Sequence, residues 1–500
     1  MMTPQFDAII VGAGFGGMGA AIALRELGYE RLSILDREDD LGGTWHVNHY
    51  PGLAVDIASV TYSYSFAPNP HWSRLFAPGA ELKKYAEHIA DTYDLRRAMR
   101  FGVSVQRAEW NGREHHWTVT TDAGETLTGR FLVTATGFLS QPHTPDFPGI
   151  DEFAGTIIHT TRWDDDHDFT GERAAIIGTG ATAVQLIPEI AARATALTVF
   201  QRTPIWVVPK IDFAIPPFVQ RLFARVPRTQ RAARSVNNAI LEGIMVVGVL
   251  HFRQAKIVNK IAAAAARAHL RVSVRSRATR KALTPHYDFG CKRPTFSNKY
   301  FRTFNRPNTR LQTSSIERFE SDAVITADGT RTPIDTLVLA TGFNLWDTNF
   351  PALQIIGREG RDLGAWWREH RFQAYEGITI PRFPNLLSLN SPYSYSGLSY
   401  FTTIESQMAH MRRLLGELSR RGAATFEVTD DANSAFLDDV TEKLGDSVFY
   451  GGQCSTSRSY YFNQHGEAAL LRPTSTSNSL HSASTFPLSD YAFGTSTQPV

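Results

Sequence analysis

The chain has 500 residues, enough to bury two or three cores, so more than one domain is expected. It is 42% hydrophobic and 20% charged with a formal net charge of +2, an ordinary globular balance that carries no footprint for nucleic acid. Its two cysteines, Cys291 and Cys454, are too few for a disulfide framework and have no Cys-x-x-Cys spacing. That fits a reducing cytoplasm and argues against a dithiol–disulfide flavoenzyme. The N-terminus has no basic n-region, and its apolar run is taken up by a strand and a helix, so no signal peptide is read. No apolar run reaches the roughly 18–20 residues of a membrane span; the best is Ile244–Leu250. No metal site is read.

In chain order, Phe6–Val11 is an apolar strand that breaks into Gly12-Ala-Gly14-Phe-Gly-Gly17. A helix rich in alanine and leucine follows, then the strand Arg31–Leu35, closed by Asp36. Strand, Gly-x-Gly-x-x-Gly, helix, strand and acid together make a dinucleotide-binding unit, with backbone N–H groups at a helix N-terminus as the pyrophosphate cradle. The pattern returns in a second apolar strand, which ends in Gly178-Thr179-Gly180-Ala181-Thr182-Ala183. Counting 24 residues from the first glycine reaches Asp36 in one unit (12 + 24) and Arg202 in the other (178 + 24). A carboxylate suits a free ribose hydroxyl and repels a phosphate, whereas Gln201-Arg202-Thr203 suits a 2′-phosphate. The first site should therefore hold FAD and the second NADPH.

Each half also closes alike. Trp117–Val133 reads as a hairpin turning at Asp122-Ala-Gly124 and ending Thr134-Ala-Thr-Gly137, and Ala323–Leu339 turns at Asp328-Gly329 and ends Ala340-Thr-Gly342. Between them lies a helical insert. Residues 211–290 hold 14 Lys/Arg against three acids, a balance of +11, which leaves −9 for the rest of the chain. Ile240–Leu250 is expected as an apolar core segment. A solvated face over a packed interior is the usual form of such a layer, and a weak membrane-surface contact is the alternative. Phe401, Ile404, Met408, Met411 and Leu414 form a helical core stripe, and the Ser/Thr-rich Thr474–Val500 should be a loose surface wrap.

One string ties the halves together: Phe153-Ala-Gly155, then His159, then Trp163-Asp164, just ahead of the second glycine turn. It resembles the fingerprint of type I Baeyer–Villiger monooxygenases, which insert oxygen beside a carbonyl; heteroatom-oxidising relatives usually have Tyr or Phe in place of Trp163. Two further strings are similar to the same family. Gly42-Gly43-Thr44-Trp45 through Asp56 resembles its second motif, which implies that Gly43, Thr44 and Trp45 lie along FAD and that Asp56 and Tyr62 sit near the flavin ring. Gly290-Cys291-Lys292-Arg293-Pro294 resembles the segment bearing its active-site arginine. On that match Arg293 is catalytic, Asp56 orients it, and Lys292 joins Arg202 and Thr203 at the 2′-phosphate. Where the family commonly has Ser-Trp-Tyr touching NADP, this chain has Ser459-Tyr460-Tyr461, and where Gly-Pro is usual it has Asn390-Ser391-Pro392.

The resemblance implies an α/β fold of two Rossmann-like domains, for FAD and NADP, with a helical insert in the second. The expected boundaries are 1–141 and 343–500 for the FAD domain with its C-terminal wrap, 153–210 and 291–342 for the NADP domain, and 211–290 for the insert. It also implies that a reduced-flavin C4a-peroxide oxidises a small hydrophobic ketone to an ester or lactone with molecular oxygen. Sulfur or nitrogen oxygenation and a peroxide-releasing NADPH oxidase are the alternatives, and a nucleotide-occupancy sensor is the non-enzymatic one.

Overall fold

The structure, a computed structural model, describes residues 3–395 and 399–494. Two sheets organise it. The larger has eight strands, with Phe6–Val11 lying parallel between Leu32–Leu35 and Thr126–Thr134. The hairpin expected at Asp122–Gly124 extends this sheet, with Trp117 opposite Gly129. Late in the chain, Gln354–Ile356 and Leu386–Ser388 join the same sheet in parallel, so the chain returns to its first half after the second glycine-ended strand. The smaller sheet is all parallel: Thr309–Gln312, Ala196–Phe200, Arg173–Ile177, Thr336–Leu339 and Thr156–His159, in that spatial order. A parallel sheet buried on both faces needs near-continuous apolar strands, and Ala174–Ile176 and Leu337–Val338 are all at most 1% exposed.

The internal repeat is a repeat in space, down to single atoms. Gly12 has φ +114° and Gly178 φ +125°. A Cβ on Gly12 would lie 2.4 Å from the Ala135 carbonyl oxygen, and one on Gly178 would lie 2.2 Å from that of Ala340. Each closing strand thus presses its alanine backbone against the first glycine of its own turn, and only glycine fits. The two crossing segments pair with each other: the His143 N–H donates to the Gly342 carbonyl and the Asn344 N–H to that of Gln141, both at 2.9 Å.

Four sequence expectations need correction. Thr474–Val500 is not a loose wrap as far as it is described: Thr476–Thr485 is a helix, Tyr491–Gly494 pairs with Thr425–Val428, and Phe486 and Tyr491 are buried. Residues 495–500 lie outside the described residues. The three aromatics at positions 486, 491 and 493 supply burial that the Ser/Thr-rich composition hid. The cysteines are paired: Cys291 and Cys454, 163 residues apart, form a disulfide with a Cα–Cα separation of 5.2 Å. Tertiary folding sets that proximity, and sequence distance says nothing of it, so the cysteines give no support to a reducing compartment.

The other two corrections concern the insert. Its helices are Pro217–Arg225, Pro227–Met245 with a π turn Val246–Leu250, Lys256–Ser273 and Arg277–Ala282. Among the described side chains of the expected apolar core segment, only Gly248, Val249 and Leu250 are buried, while Ile240 and Ile244 are 58% and 55% exposed. The helix docks through polar side chains instead. Moreover, Pro227–Leu250 is one helix of 24 residues long and apolar enough, by length and composition, to cross a membrane. Scanning for an unbroken apolar run missed it, because polar residues interrupt the run without lowering the helix average enough.

Candidate active site between the two glycine turns

The first turn offers a bare backbone floor. Gly14 and Gly43 face each other, and a Cβ on Gly43 would sit 3.1 Å from the Gly14 Cα. Gly17 packs so tightly on the turn that its Cβ would lie 1.9 Å from the Gly12 carbonyl oxygen. Asp36 closes the unit, its carboxylate accepting from the Ala13 N–H at 2.6 Å and the Glu38 N–H at 3.0 Å. Burial raises its pKa against those two bonds. Thr44 and Trp45 open a short helix, with the Trp45 ring 5.6 Å from Tyr62 and Tyr62 5.1 Å from Phe401. Asn390 lies beside this floor with φ +55°, which explains why asparagine can stand where glycine is usual. Its Nδ2 donates to the Tyr400 hydroxyl at 2.9 Å, while its buried Oδ1 has no hydrogen-bond partner among the described residues. A glycine floor, a strand-end carboxylate and an unsatisfied amide oxygen fit a flavin dinucleotide.

The second turn leads into the helix Ala181–Ala191, with Ala183 fully buried and Gly180 and Ala181 exposed. The Thr179 hydroxyl donates to the Thr203 carbonyl at 2.9 Å, tying the turn to the end of the next strand. From the other half, the Tyr50 hydroxyl reaches Gln185 at 3.3 Å and Thr182 at 3.4 Å. Beside this turn three cations crowd together. Burial and repulsion from Arg202 and Arg458 push the Lys292 ammonium down to about 8. Burial and Arg458 likewise lower Arg202. Three cations gathered with no carboxylate among them are an anion site. An adjoining cavity of about 400 Å³, lined by Gln201, Arg202, Pro204, Lys281 and Thr313, gives room for a nucleoside. These residues fit a 2′-phosphorylated nicotinamide dinucleotide.

Between the turns sits an ion pair. Arg293 donates to both carboxylate oxygens of Asp56, through Nε at 2.7 Å and Nη2 at 3.0 Å, and through Nη1 to the Tyr395 hydroxyl at 2.8 Å. Burial disfavours both charges, yet each outweighs it for the other: Asp56 is held below the usual carboxylate range and Arg293 well above its ordinary value. The Arg293 and Asp56 side chains remain 23% and 31% exposed, so the pair is reachable from the cleft. Burial pushes the Tyr395 and Tyr460 hydroxyls up to about 12, so both stay protonated donors at neutral pH. The Tyr460 and Tyr461 rings lie against each other, tilted by 40° with centroids 4.7 Å apart, and the Trp346 indole fixes the Tyr460 carbonyl at 2.9 Å.

Comparison with known proteins decides the family. Residues 9–255 match the model of the pyridine nucleotide-disulphide oxidoreductases. A Baeyer–Villiger monooxygenase of Streptomyces coelicolor is 35% identical over 96% of this chain and 91% of its own length. The chain belongs to the Baeyer–Villiger monooxygenases. Among solved structures, an oxidised steroid monooxygenase bound to NADP is 30% identical with a TM-score of 0.86, covering 99% of this chain and all of its own. OTEMO in complex with FAD and NADP is 26% identical, TM-score 0.87, with the same coverage.

The fingerprint of this Baeyer–Villiger chain is largely structural. Trp163 is 7% exposed and stacks on Phe169, and burial holds His159 neutral with Nδ1 2.8 Å from the Thr161 hydroxyl. Sequence reasoning missed Arg458, Lys281, Tyr395 and Lys210. Lys210 carries a charge close enough to Asp56 to act on it, and burial lowers its own pKa. None sits in a recognised string; a search for unpaired cations would have flagged Arg458 only once the fold was known.

Proposed function

We propose that this flavin monooxygenase uses FAD, NADPH and molecular oxygen to insert one oxygen atom beside the carbonyl of a small hydrophobic ketone. The balance is ketone, O₂, NADPH and a proton to ester or lactone, NADP⁺ and water. The observation that carries it is the open Arg293–Asp56 pair lying between two complementary nucleotide turns in a chain of this family. When bound, the nicotinamide supplies the hydride and the reduced flavin the electrons that activate oxygen. FAD is assigned to Gly12, Gly14, Gly17, Asp36, Gly43, Thr44, Trp45, Asp56 and Tyr62. NADPH is assigned to the run Gly178–Ala183 and to Arg202, Thr203, Lys292 and Tyr460, with Arg458 added. The domain limits are read as residues 1–141 and 343–500 around FAD, 153–210 and 291–342 around NADP, and 211–290 as the insert, a reading supported by the late strands Gln354–Ile356 and Leu386–Ser388 in the larger sheet.

Arg293 keeps a permanent positive charge where negative charge develops on oxygen, because a guanidinium paired to Asp56 cannot lose its proton near neutral pH. Asp56 fixes the plane of the guanidinium through both oxygens, leaving Nη1 toward Tyr395. The Tyr395 hydroxyl, protonated at neutral pH, holds Nη1 of Arg293 in place. The basic insert is read as a weak membrane-surface contact, and the enzyme as cytoplasmic. A panel of ketones and sulfides with product identification by mass spectrometry tests the reaction: an ester or lactone is expected, and sulfoxide alone, or hydrogen peroxide alone, would replace it with the corresponding alternative.

A further inference from the structure

The long insert helix is turned inside out for a water-soluble face. Its polar side chains dock on the protein: Gln230 donates to the Asn69 carbonyl, Arg234 to that of Ser63 and Asn237 to the Thr61 hydroxyl, each at 2.7 Å. Its apolar stripe, Val236, Ile240 and Ile244 at i, i+4 and i+8, is turned to solvent at 61%, 58% and 55% exposure. Ile257 and Ile261 repeat the arrangement on the next long helix at 65% and 62%. Of 17 large hydrophobic side chains exposed among the described residues, 12 lie between positions 211 and 272, about one-eighth of the chain, so the concentration is regional. An apolar patch of this kind marks a docking surface.

Charge selects what docks. Of the 14 basic side chains in residues 211–290, all but Arg234 and Arg280 are exposed, and none of the exposed ones pairs with a carboxylate among the described residues. A second copy of this face would set +11 against +11, whereas an anionic lipid surface complements it. The helix is long enough to span a bilayer, but its inner side is hydrogen-bonded to the loop 61–69, so lipid cannot surround it. We propose that the insert docks this enzyme on anionic membrane, with the helix Pro227–Met245 lying in the plane of the interface. Val236, Ile240 and Ile244 then enter the acyl boundary while Arg228, Arg231 and the neighbouring cations meet lipid phosphates. This deepens the membrane-surface reading of the insert and rests on it; the oxygenation chemistry is independent of both.

The test is flotation of the FAD-loaded protein with vesicles of phosphatidylcholine alone or mixed with phosphatidylglycerol, at low and high salt. Wild type should float with the mixed vesicles at low salt and be released at high salt. The double variant Ile240→Glu with Ile244→Glu should bind at least about tenfold more weakly, while keeping its melting temperature and its turnover of a water-soluble ketone. Arg228→Glu with Arg231→Glu should weaken binding to mixed vesicles alone. Equal binding to neutral vesicles would overturn the anionic choice but keep membrane contact; no binding to either would overturn both. A wild-type dimer that the isoleucine variant splits, without lipid binding, would assign the face to a second copy and overturn the proposal.

Discussion

The crowding of Lys292 predicts a pH dependence of nucleotide choice. In the free protein its ammonium loses its proton near pH 8, because burial and the charges of Arg202 and Arg458 disfavour it. A bound 2′-phosphate reverses the repulsion and restores the ordinary lysine range near 10.5. Binding of NADPH then takes up a proton above pH 8, so the KM for NADPH should rise toward tenfold per pH unit, or roughly tenfold between pH 8.5 and 9.5. NADH lacks the phosphate, and its KM should stay flat over the same window. Lys292→Arg keeps the charge at every pH and should abolish the rise; Lys292→Ala should flatten it at a weaker NADPH affinity. The sign for stability is opposite: a lowered lysine pKa means folding opposes the charged form, so without nucleotide this cluster destabilises below pH 8 and the cost fades as pH rises through it. Steady-state kinetics with both nucleotides across this range decide the matter. Parallel pH profiles for NADPH and NADH, or a rise that survives in Lys292→Arg, would refute the assignment of the three cations to the 2′-phosphate.

Arg293→Ala should still consume NADPH but return nearly all the oxygen as hydrogen peroxide, losing on the order of 10²–10³ in ester formation, read by peroxide assay beside product chromatography. Asp56→Asn should leave the guanidinium in place but loosely held, lowering ester yield less than Arg293→Ala in the same paired assays. Arg458→Ala and Arg202→Ala should each raise the NADPH KM by at least roughly tenfold with little change for NADH, since a charge-assisted bond is worth about 1.5–3 kcal/mol. Cys454→Ser should lower the unfolding free energy by up to about 5 kcal/mol if closure of the 163-residue loop acts through chain entropy, measured by denaturant unfolding with and without reductant.

Sequence alone determined the parts that depend on local backbone chemistry. A glycine turn needs its residues at set spacing, and each apolar strand declares itself by composition, so both dinucleotide units, their acid or arginine ends and the matching hairpins were legible in the sequence. Arg293 stood out as a candidate within a string of five residues, Gly290–Pro294. What only the tertiary structure decided depends on residues distant in the chain. Asp56 meets Arg293 across 237 positions and Tyr395 meets it across 102. Arg458 reaches the second nucleotide turn from a segment that carries no nucleotide signature, on the same stretch as Cys454, whose partner Cys291 stands two residues before Arg293. The insert shows the same limit most plainly. Its sequence showed apolar residues at helical spacing, but which side of a helix faces the protein is settled by the partner surface. Here the backbone carbonyls of Ser63 and Asn69 drew the polar side inward and left Ile240 and Ile244 in the solvent.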